Sequence, residues 1–181
     1  MAAGANFSLA LRDDGTLWSW GEGGRGQLGL HSDNDHTVPY QVHGPENVGF
    51  LTDVVDIAAG DRHSLALKSD GTVWAWGEGG SGQLGVHSNN DHTVPYQVHG
   101  PGNVGFLCGI IAVAAGDEFS LALKDDGTVW AWGEGEDGQL GINEYYVHTD
   151  CDHTVPYQVH GPGNVDYLTG IGPCTPPAAT P

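Results

Sequence analysis

Apolar and polar positions alternate in short runs along this chain, and glycine or proline separates one run from the next. Four such runs in the middle of the chain occupy residues 54–58, 63–68, 73–76 and 93–99. A period of two is typical of a β-strand with one buried face, so each run predicts a short strand. Asp70 and Gly71 predict a tight hairpin between the second and third strands. Pro95 lacks a backbone N–H, which places the fourth strand at a sheet edge.

This pattern occurs three times, with a period of 56 residues. Residues 4–11 are repeated at 60–67 and 116–123, and a pair of tryptophans follows each copy. The pairs are Trp18 and Trp20, Trp74 and Trp76, and Trp130 and Trp132. A fixed period of this length indicates one supersecondary unit stacked on itself. Four antiparallel strands per repeat describe a propeller blade, so we predict an all-β protein of three blades.

The repeats are expected over residues 1–172, at approximately 1–56, 57–112 and 113–172, before a linker-like Pro/Thr/Ala tail at 173–181. By this phase the chain starts within a blade's first strand, and residues 164–171 match residues 47–54, which lead into that strand. We therefore expect the C-terminal piece to complete the first blade or a neighbouring chain's blade. Three blades cannot close a ring, which typically takes about four to eight. A fragment of a longer propeller, a six-bladed ring of two chains and a head-to-tail filament all remain open.

The chain is strongly acidic, with 23 acidic and five basic residues and a formal net charge of −18. Such a surface repels phosphate backbones and anionic lipids, so we expect no nucleic-acid partner and no membrane adhesion. No apolar run approaches the roughly 20 residues of a membrane span. Cys108, Cys151 and Cys174 fall outside the repeat and contain no C-x-x-C pair, so they predict no zinc site.

Three segments of the middle repeat are more specific than the strand pattern. They are residues 63–68 (HSLALK), 70–77 (DGTVWAWG) and 82–85 (GQLG). With their copies they resemble the regulator-of-chromosome-condensation repeat, in a bacterial-type flavour. The resemblance implies a β-propeller, which family members typically close with seven blades, and protein recognition, as in a bacterial relative that inhibits β-lactamase. It does not imply chromatin binding, because the chromatin-bound member of the family uses positive charge that this chain lacks.

Glycine-rich loops follow the tryptophan strands. The motif G-x-G-x-x-G occurs in them at residues 21–26, 77–82 and 133–138. A dinucleotide site needs these glycines to open a helix, but no helical period follows them. The acidic residue in each loop would also repel phosphate. We therefore assign these glycines to turns and predict no cofactor.

Asp and His residues cluster in the loop before each fourth strand. The candidate metal ligands are Asp33, Asp35, His36, Asp91, His92, Asp150, Asp152 and His153. Divalent cations use carboxylates and imidazoles, so a Ca²⁺ site is one hypothesis. The alternative is that these Asx-rich loops cap their own backbone and bind nothing.

Histidines and tryptophans each have a structural and a functional interpretation. His43, His99 and His160 precede a Gly-Pro turn, where a ring nitrogen is expected to satisfy the turn. Protonation of the ten histidines would offset much of the negative charge and make assembly pH-sensitive. We expect the tryptophans to pack between blades, with a chromophore role as the alternative. His63 and Ser64 are adjacent on a strand and point to opposite faces, so they predict no nucleophile–base pair.

These observations predict a non-enzymatic repeat scaffold that binds protein or assembles through its loops and strand edges. The predicted binding surface comprises Glu22, Glu78, Glu134, Glu136, Asp137, Tyr145 and Tyr146. The two tyrosines lie in an insertion of the third copy, and aromatic residues suit a contact surface. The alternatives are a self-assembling filament or surface protein and a Ca²⁺-binding or pH-sensitive module. The expected partner is a protein or a second copy of the chain, in an extracellular or cell-surface location.

Overall fold

The computed structural model describes residues 1–142, 152–164 and 166–170. The strands are β1 (Ala2–Ala3), β2 (Phe7–Leu11), β3 (Leu17–Gly21), β4 (His36–Gln41), β5 (Val54–Ala59), β6 (His63–Lys68), β7 (Val73–Gly77), β8 (His92–Gln97), β9 (Ile110–Ala115), β10 (Phe119–Lys124), β11 (Val129–Gly133) and β12 (His153–Gln158). Three short 3-10 helices follow β4, β8 and β12, at Pro45–Asn47, Pro101–Asn103 and Pro162–Asn164. No helix in the described residues is long and apolar enough to cross a membrane.

The strands form three four-stranded antiparallel sheets, as the repeat predicts. The first sheet contains β1 to β4, the second β5 to β8 and the third β9 to β12, each in sequence order. In the second sheet, Leu65 pairs with Ala75 and Trp74 pairs with Gln97. The predicted architecture of three all-β propeller blades that do not close a ring is thereby confirmed.

Strand boundaries in the second sheet agree with the alternation pattern, with one correction. β5, β6 and β7 match the predicted strands to within one residue. The fourth strand was predicted at residues 93–99, but β8 begins at His92 and ends at Gln97. The reason is the turn at Pro101–Asn103, across which His99 forms an isolated bridge with Phe106. β8 lies at the edge of its sheet, as Pro95 predicts.

Each hairpin turn is held by the same three side chains. In the second sheet the Thr72 hydroxyl and backbone N–H both donate to Asp70 Oδ1, at 2.6 and 3.0 Å. The Thr72 side-chain hydrogen bond, followed by the backbone one, lowers the pKa of Asp70. The indole Nε1 of Trp74 donates to Thr72 Oγ1 at 3.2 Å, and equivalent bonds hold Trp18 and Trp130. The first tryptophan of each pair is therefore anchored to its own turn.

The hydrophobic core lies between neighbouring sheets. One cluster joins the first two sheets and includes Phe7, Leu9, Leu17, Leu28, Val42, Ala66 and Trp76. A second cluster joins the second and third sheets and includes Leu65, Val73, Leu84, Val98, Ala122 and Trp132. Because each sheet buries its apolar residues against the next one, the contacts between sheets are the main source of stability in this stack.

The first strand of the first sheet is shorter than the first strands of the other two sheets. β1 has two residues, whereas β5 and β9 have six each. The prediction that residues 164–171 complete a blade stays a prediction, because residues 165 and 171–181 lie outside the described part of the chain. The predicted tail at 173–181 lies outside it as well. Within residues 164–171, Tyr167 forms an isolated bridge with His160.

Candidate binding surface

A backbone carbonyl marks the centre of the contact between the first two sheets. Gln27 O lies in the glycine-rich loop after β3 and accepts hydrogen bonds from Trp76 Nε1 at 2.9 Å and Ser64 Oγ at 2.8 Å. All three residues are at most 1% exposed. A buried polar group without a partner costs about 1–3 kcal/mol, so this carbonyl ties the second tryptophan of the pair to the preceding sheet.

The contact between the second and third sheets repeats this arrangement. Gln83 O accepts hydrogen bonds from Trp132 Nε1 at 2.9 Å and Ser120 Oγ at 2.8 Å. We call each arrangement a junction, with the carbonyl on its trailing side and the tryptophan and serine on its leading side. Glycine is required at the contact, because a Cβ on Gly85, where φ is +66°, would lie 2.8 Å from the indole nitrogen.

The first sheet carries the leading side of a junction without a described sheet against it. We call this surface the leading face and define it by Ser8, Trp20 and Val38. Val38 is 55% exposed, whereas Val94 and Val155 at the same repeat position are 6% and 7% exposed. Trp20 and Ser8 are half-buried, whereas their counterparts in the second and third sheets are fully buried. The leading face is therefore one half of a junction, already formed.

The third sheet carries the opposite half. We call this surface the trailing face and define it by Leu121, Val129, Gln139 and Val159, all of which are half-buried. Their counterparts in the second sheet are at most 1% exposed: Leu65, Val73, Gln83 and Val98. A Cβ on Gly138 would meet only open space, whereas one on Gly82 would lie 2.9 Å from the backbone of the third sheet.

The local backbone of the trailing face matches that of the filled junctions. Asp137 N donates to Gln139 Oε1 at 2.9 Å, and Arg25 N donates to Gln27 Oε1 at 2.8 Å. Gly138 has φ +75°, against +79° for Gly26. The loop that presents the carbonyl therefore has the same conformation whether or not a sheet lies against it.

Side chains at the edge of each junction differ between repeats. We call Arg25, Ser81 and Asp137 the rim residues. They occupy the same repeat position, two residues before the junction glutamine in each glycine-rich loop. Arg25 reaches across the first junction to Glu78 at 3.4 Å and Asp91 at 3.3 Å. In the second junction the Ser81 hydroxyl donates to Glu118 Oε2 at 2.6 Å. The rim residue of the third sheet is acidic.

Acidic side chains gather around the third rim residue. Burial, and then the charges of Glu118, Glu136, Asp137 and Asp152, raise the pKa of Glu134. Gln139 Nε2 donates to Glu134 Oε2 at 3.2 Å. This edge of the trailing face is therefore a region of negative potential in which a further carboxylate would be unfavourable.

The predicted binding residues lie on these edges, as far as the structure describes them. Glu22 accepts a hydrogen bond from Asn6 Nδ2 at 3.0 Å and belongs to the edge of the leading face. Glu78 lies inside the first junction, where Arg25 neutralises it. Tyr145 and Tyr146 lie outside the described residues. So do Cys151 and Cys174, whereas Cys108 is described and exposed.

The candidate metal ligands cap loops in the first two repeats. Asp35 Oδ1 accepts a hydrogen bond from Gly23 N at 2.9 Å, and Asp91 Oδ1 accepts one from Gly79 N at 3.0 Å. In the described part of the chain, no group of three or more His, Cys, Asp or Glu side chains is placed to hold a metal ion. Asp150 lies outside that part, so a site that includes it stays a prediction.

The remaining predicted ligands have other neighbours. Asp33 is exposed, and the His36 ring lies 4.4 Å from the Tyr40 ring, measured between centroids. The His92 and His153 rings are placed in the same way against their own strands' tyrosines, at 4.0 and 4.6 Å. Asp152 directly precedes β12 and contributes to the negative potential at Glu134.

Two histidines, His43 and His63, have hydrogen-bond partners that fit structural roles. His43 Nδ1 and Asn47 Oδ1 are 2.6 Å apart, as predicted for a ring nitrogen that satisfies the turn. His63 Nε2 lies 3.0 Å from Ser120 Oγ in the third sheet, whereas the adjacent Ser64 hydroxyl points to Gln27 O. The two neighbours in sequence are therefore not brought together. Burial lowers the pKa of His63 to about 4, against a smaller raising effect of the Asp117 backbone.

Sequence reasoning missed the junction carbonyls and two of the three rim residues, Arg25 and Ser81, whereas Asp137 was among the predicted binding residues. A backbone oxygen has no side-chain signature, so nothing in the repeat distinguishes the glutamine carbonyl from its neighbours. The rim residues did carry a signal, since the same repeat position holds Arg25, Ser81 and Asp137 in succession. A position that changes charge among near-identical copies indicates that each copy has a different neighbour.

Comparison with known families shows what this chain is similar to. A model described as regulator of chromosome condensation (RCC1) repeat matches residues 14–67, 70–123 and 126–170. The E3 ubiquitin-protein ligase HERC2 of Mus musculus is 34% identical over 143 residues, which cover 78% of this chain and 3% of that protein. The ultraviolet-B receptor UVR8 of Arabidopsis thaliana is 35% identical over 144 residues, which cover 80% and 31%.

Solved structures agree with this similarity. Prp20p from Saccharomyces cerevisiae matches with a TM-score of 0.71 and 26% identity, over 88% of this chain and 37% of that one. The chain therefore spans less than two fifths of each of these relatives. The bacterial-type flavour inferred from the sequence is not borne out, because these relatives come from an animal, a plant and a yeast.

Proposed function

Because the chain belongs to the regulator of chromosome condensation (RCC1) repeat family of β-propellers, we propose that it is a non-enzymatic scaffold that binds protein through exposed blade faces and loops. The principal contact surfaces in this proposal are the leading face of the first sheet and the trailing face of the third. The ligase activity in the name of one relative does not enter it, since the match covers 3% of that protein.

One observation carries the proposal. The leading face and the trailing face are the two halves of a junction, and the same kind of junction is buried between the first and second and between the second and third sheets. Trp20 is the counterpart of Trp76, which donates to Gln27 O, and Gln139 is the counterpart of Gln27. Each filled junction buries an indole and a serine hydroxyl against the carbonyl. Exposed halves of a contact that is buried elsewhere in the same molecule are expected to bind a protein surface of the same kind.

A relative with a similar fold supports protein binding in general. Prp20p has been crystallised with Kap60 bound, and its binding to Gsp1p and histones has been described. The acidic charge of the present chain differs from what a DNA or membrane surface would attract. A protein is therefore the partner class that this surface fits best.

The proposal is tested by mass in solution, measured by light scattering on the chain over a range of concentrations at low salt and at 1 M salt. At about 1 M the Debye length falls to roughly 3 Å, so the negative surfaces no longer keep apart two copies that could dock. We expect a mass above the monomer's 19.0 kDa at high salt. A dimer indicates a closed six-bladed ring and a growing polymer indicates a filament, whereas a monomer throughout contradicts docking by these faces.

Two tryptophan variants show whether the faces are responsible. Trp20→Phe removes an indole N–H from the leading face and should weaken association at high salt. Trp18→Phe is the matched control, because the Trp18 indole bonds Thr16 Oγ1 in its own turn at 3.2 Å. Equal masses for the two variants would show that association uses another surface.

The second candidate function is a structural filament, and the similarity of the repeats favours it. Both described junctions use the same carbonyl, tryptophan and serine geometry to within 0.1 Å in each hydrogen bond. Copies that added head to tail would form a third junction with the same partners. The dependence of mass on concentration separates this outcome from a closed dimer.

A further inference from the structure

The rim residues set the charge of each junction, and they pair with acidic groups of the following sheet. Arg25 contacts Glu78 and Asp91 of the second sheet, at 3.4 and 3.3 Å. The repeat positions that correspond to these two acids in the first sheet are Glu22 and Asp35. A sheet that docked on a trailing face as the second sheet docks on the first would place these two positions beside the rim residue, whereas Ser81 in the second junction bonds Glu118, the repeat counterpart of Asn6.

A second copy of this chain would create repulsion at that place. Its Glu22 and Asp35 would face Asp137, with the exposed Glu136 immediately beside it. Four carboxylates would then share one rim, where the first junction has one arginine between two carboxylates. Like charges placed together in an interface disfavour the wrong partner strongly.

The centres of the two faces match those of the filled junctions, so the rim charge is the difference that bears on a second copy. The trailing face presents the Gln139 carbonyl and apolar side chains in the same loop conformation as the filled junctions. The leading face presents Trp20 and Ser8 at the positions that donate in those junctions. The two faces carry the same carbonyl, tryptophan and serine positions as the first junction, and they differ from it in the sign of the rim.

We propose that the trailing face of the third sheet binds an RCC1-type blade with a basic side chain at the position of Glu22, and that Asp137 excludes a second copy of this chain. The inference rests on the proposed docking function and adds the chemistry of the partner. The basic residue of the partner would form an ion pair with Asp137, in the way that Glu78 pairs with Arg25, but with the two charges exchanged.

A charge-exchange cycle in the full chain tests this selectivity. Four proteins are compared: the wild type, Asp137→Arg, Glu22→Arg and the double variant. Each single variant pairs opposite charges at positions 22 and 137 of a copy-to-copy junction, whereas the wild type and the double variant pair like charges at these two positions, with Asp35 and Glu136 unchanged in all four proteins. At low salt we expect each single variant to self-associate roughly tenfold or more tightly than the wild type, and the double variant to gain clearly less than the two single gains combined.

Salt provides an independent signature. Screening weakens attraction as well as repulsion, so association of the single variants should fall as salt rises while that of the wild type increases. Asp13→Arg is the matched control for net charge, since Asp13 is exposed and lies at the end of β3 opposite to Glu22. This control should behave as the wild type does. Circular dichroism on every variant verifies that the sheets are intact.

The outcomes separate the two proposals. Equal association of all four proteins, or a double variant whose gain equals the two single gains combined, overturns the charge selectivity while the docking function stands. Association of the Asp13→Arg control to the same extent as the singles also overturns it, because net charge alone then accounts for the effect. No association in any protein at any salt overturns both proposals.

Discussion

The two junctions of this molecule have the same centre and different edges. At the centre of each, a glutamine carbonyl accepts from an indole and a serine hydroxyl, and the four distances agree to within 0.1 Å. At the edges, the first junction has an arginine between two carboxylates, whereas the second has a serine bonded to Glu118. The second junction also has a buried histidine, His63, next to the central Ser120. The centre holds blades together, and the edges decide which blades meet.

This difference shows how near-identical repeats acquire a fixed order. The backbone contacts of the two described junctions are equivalent and their apolar contacts are similar, with Leu17 in the first where Val73 lies in the second, so they give stability with little specificity. The polar residues at the edges change in charge from one junction to the next, and a mismatch there costs more than a match contributes.

Removal of the central tryptophan is expected to have the largest effect. Trp132 is 0% exposed, so Trp132→Ala should lower the free energy of unfolding by about 3–5 kcal/mol. Trp20→Ala, on the open leading face, should cost about 1 kcal/mol or less. Urea denaturation followed by far-ultraviolet circular dichroism measures both. Equal losses would mean that the stability of the stack does not depend on burial between sheets.

The buried histidine is expected to make the second junction, and not the first, sensitive to acid. The pKa of His63 is lowered by burial to about 4, from 6.5 in the unfolded chain. The neutral form is therefore favoured by folding, and its contribution is complete above pH 6.5. As pH falls from 6.5 towards 4, the unfolded chain takes up the proton first, and about 3 kcal/mol of stability is lost.

The matched variant for this prediction is His63→Phe, because Phe7 and Phe119 occupy the same repeat position. Carboxylates also titrate in the lower part of the range, so the measured quantity is the difference in unfolding free energy between wild type and variant. That difference should change by about 3 kcal/mol between pH 7 and pH 4. Parallel pH curves for the two proteins would show that His63 is not the titrating group.

Most of the fold could be predicted because its determinants are local. Alternation with a period of two marks strands such as β6, and a 56-residue period marks the stacking of equivalent sheets. The fourth strand was predicted to end two residues too late, because its apolar pattern continues to His99, whereas strand pairing ends at Gln97, before the Gly-Pro turn. Whether the strand continues or the turn forms at this point depends on backbone hydrogen bonds, and the pattern of apolar residues carries no information about them.

The candidate site could be predicted only in part. The acidic residues at its edges stand out by charge, and Glu22, Glu78 and Asp137 were all among those predicted. The different roles of Trp74 and Trp76 could not be predicted, since the alternation pattern places both side chains on the same face of one strand. One bonds its own turn and the other the preceding sheet, and that distinction depends on the order in which sheets stack.

The smallest effect is expected at the edge of the first junction. The Arg25 side chain is 48% exposed, so its ion pairs with Glu78 and Asp91 are expected to contribute about 0.2–1 kcal/mol at low salt. Arg25→Ser gives the first junction the rim residue of the second. The stability lost in this variant should be regained near 1 M salt, where the Debye length is about 3 Å.

The reverse change, Ser81→Arg, should bring a cation near Glu134, whose pKa is raised by burial and then by its acidic neighbours, and move that pKa back towards its ordinary value. Nuclear magnetic resonance titration of the Glu134 carboxyl measures that shift, and an unchanged pKa would show that the rim residue does not control the charge of the junction.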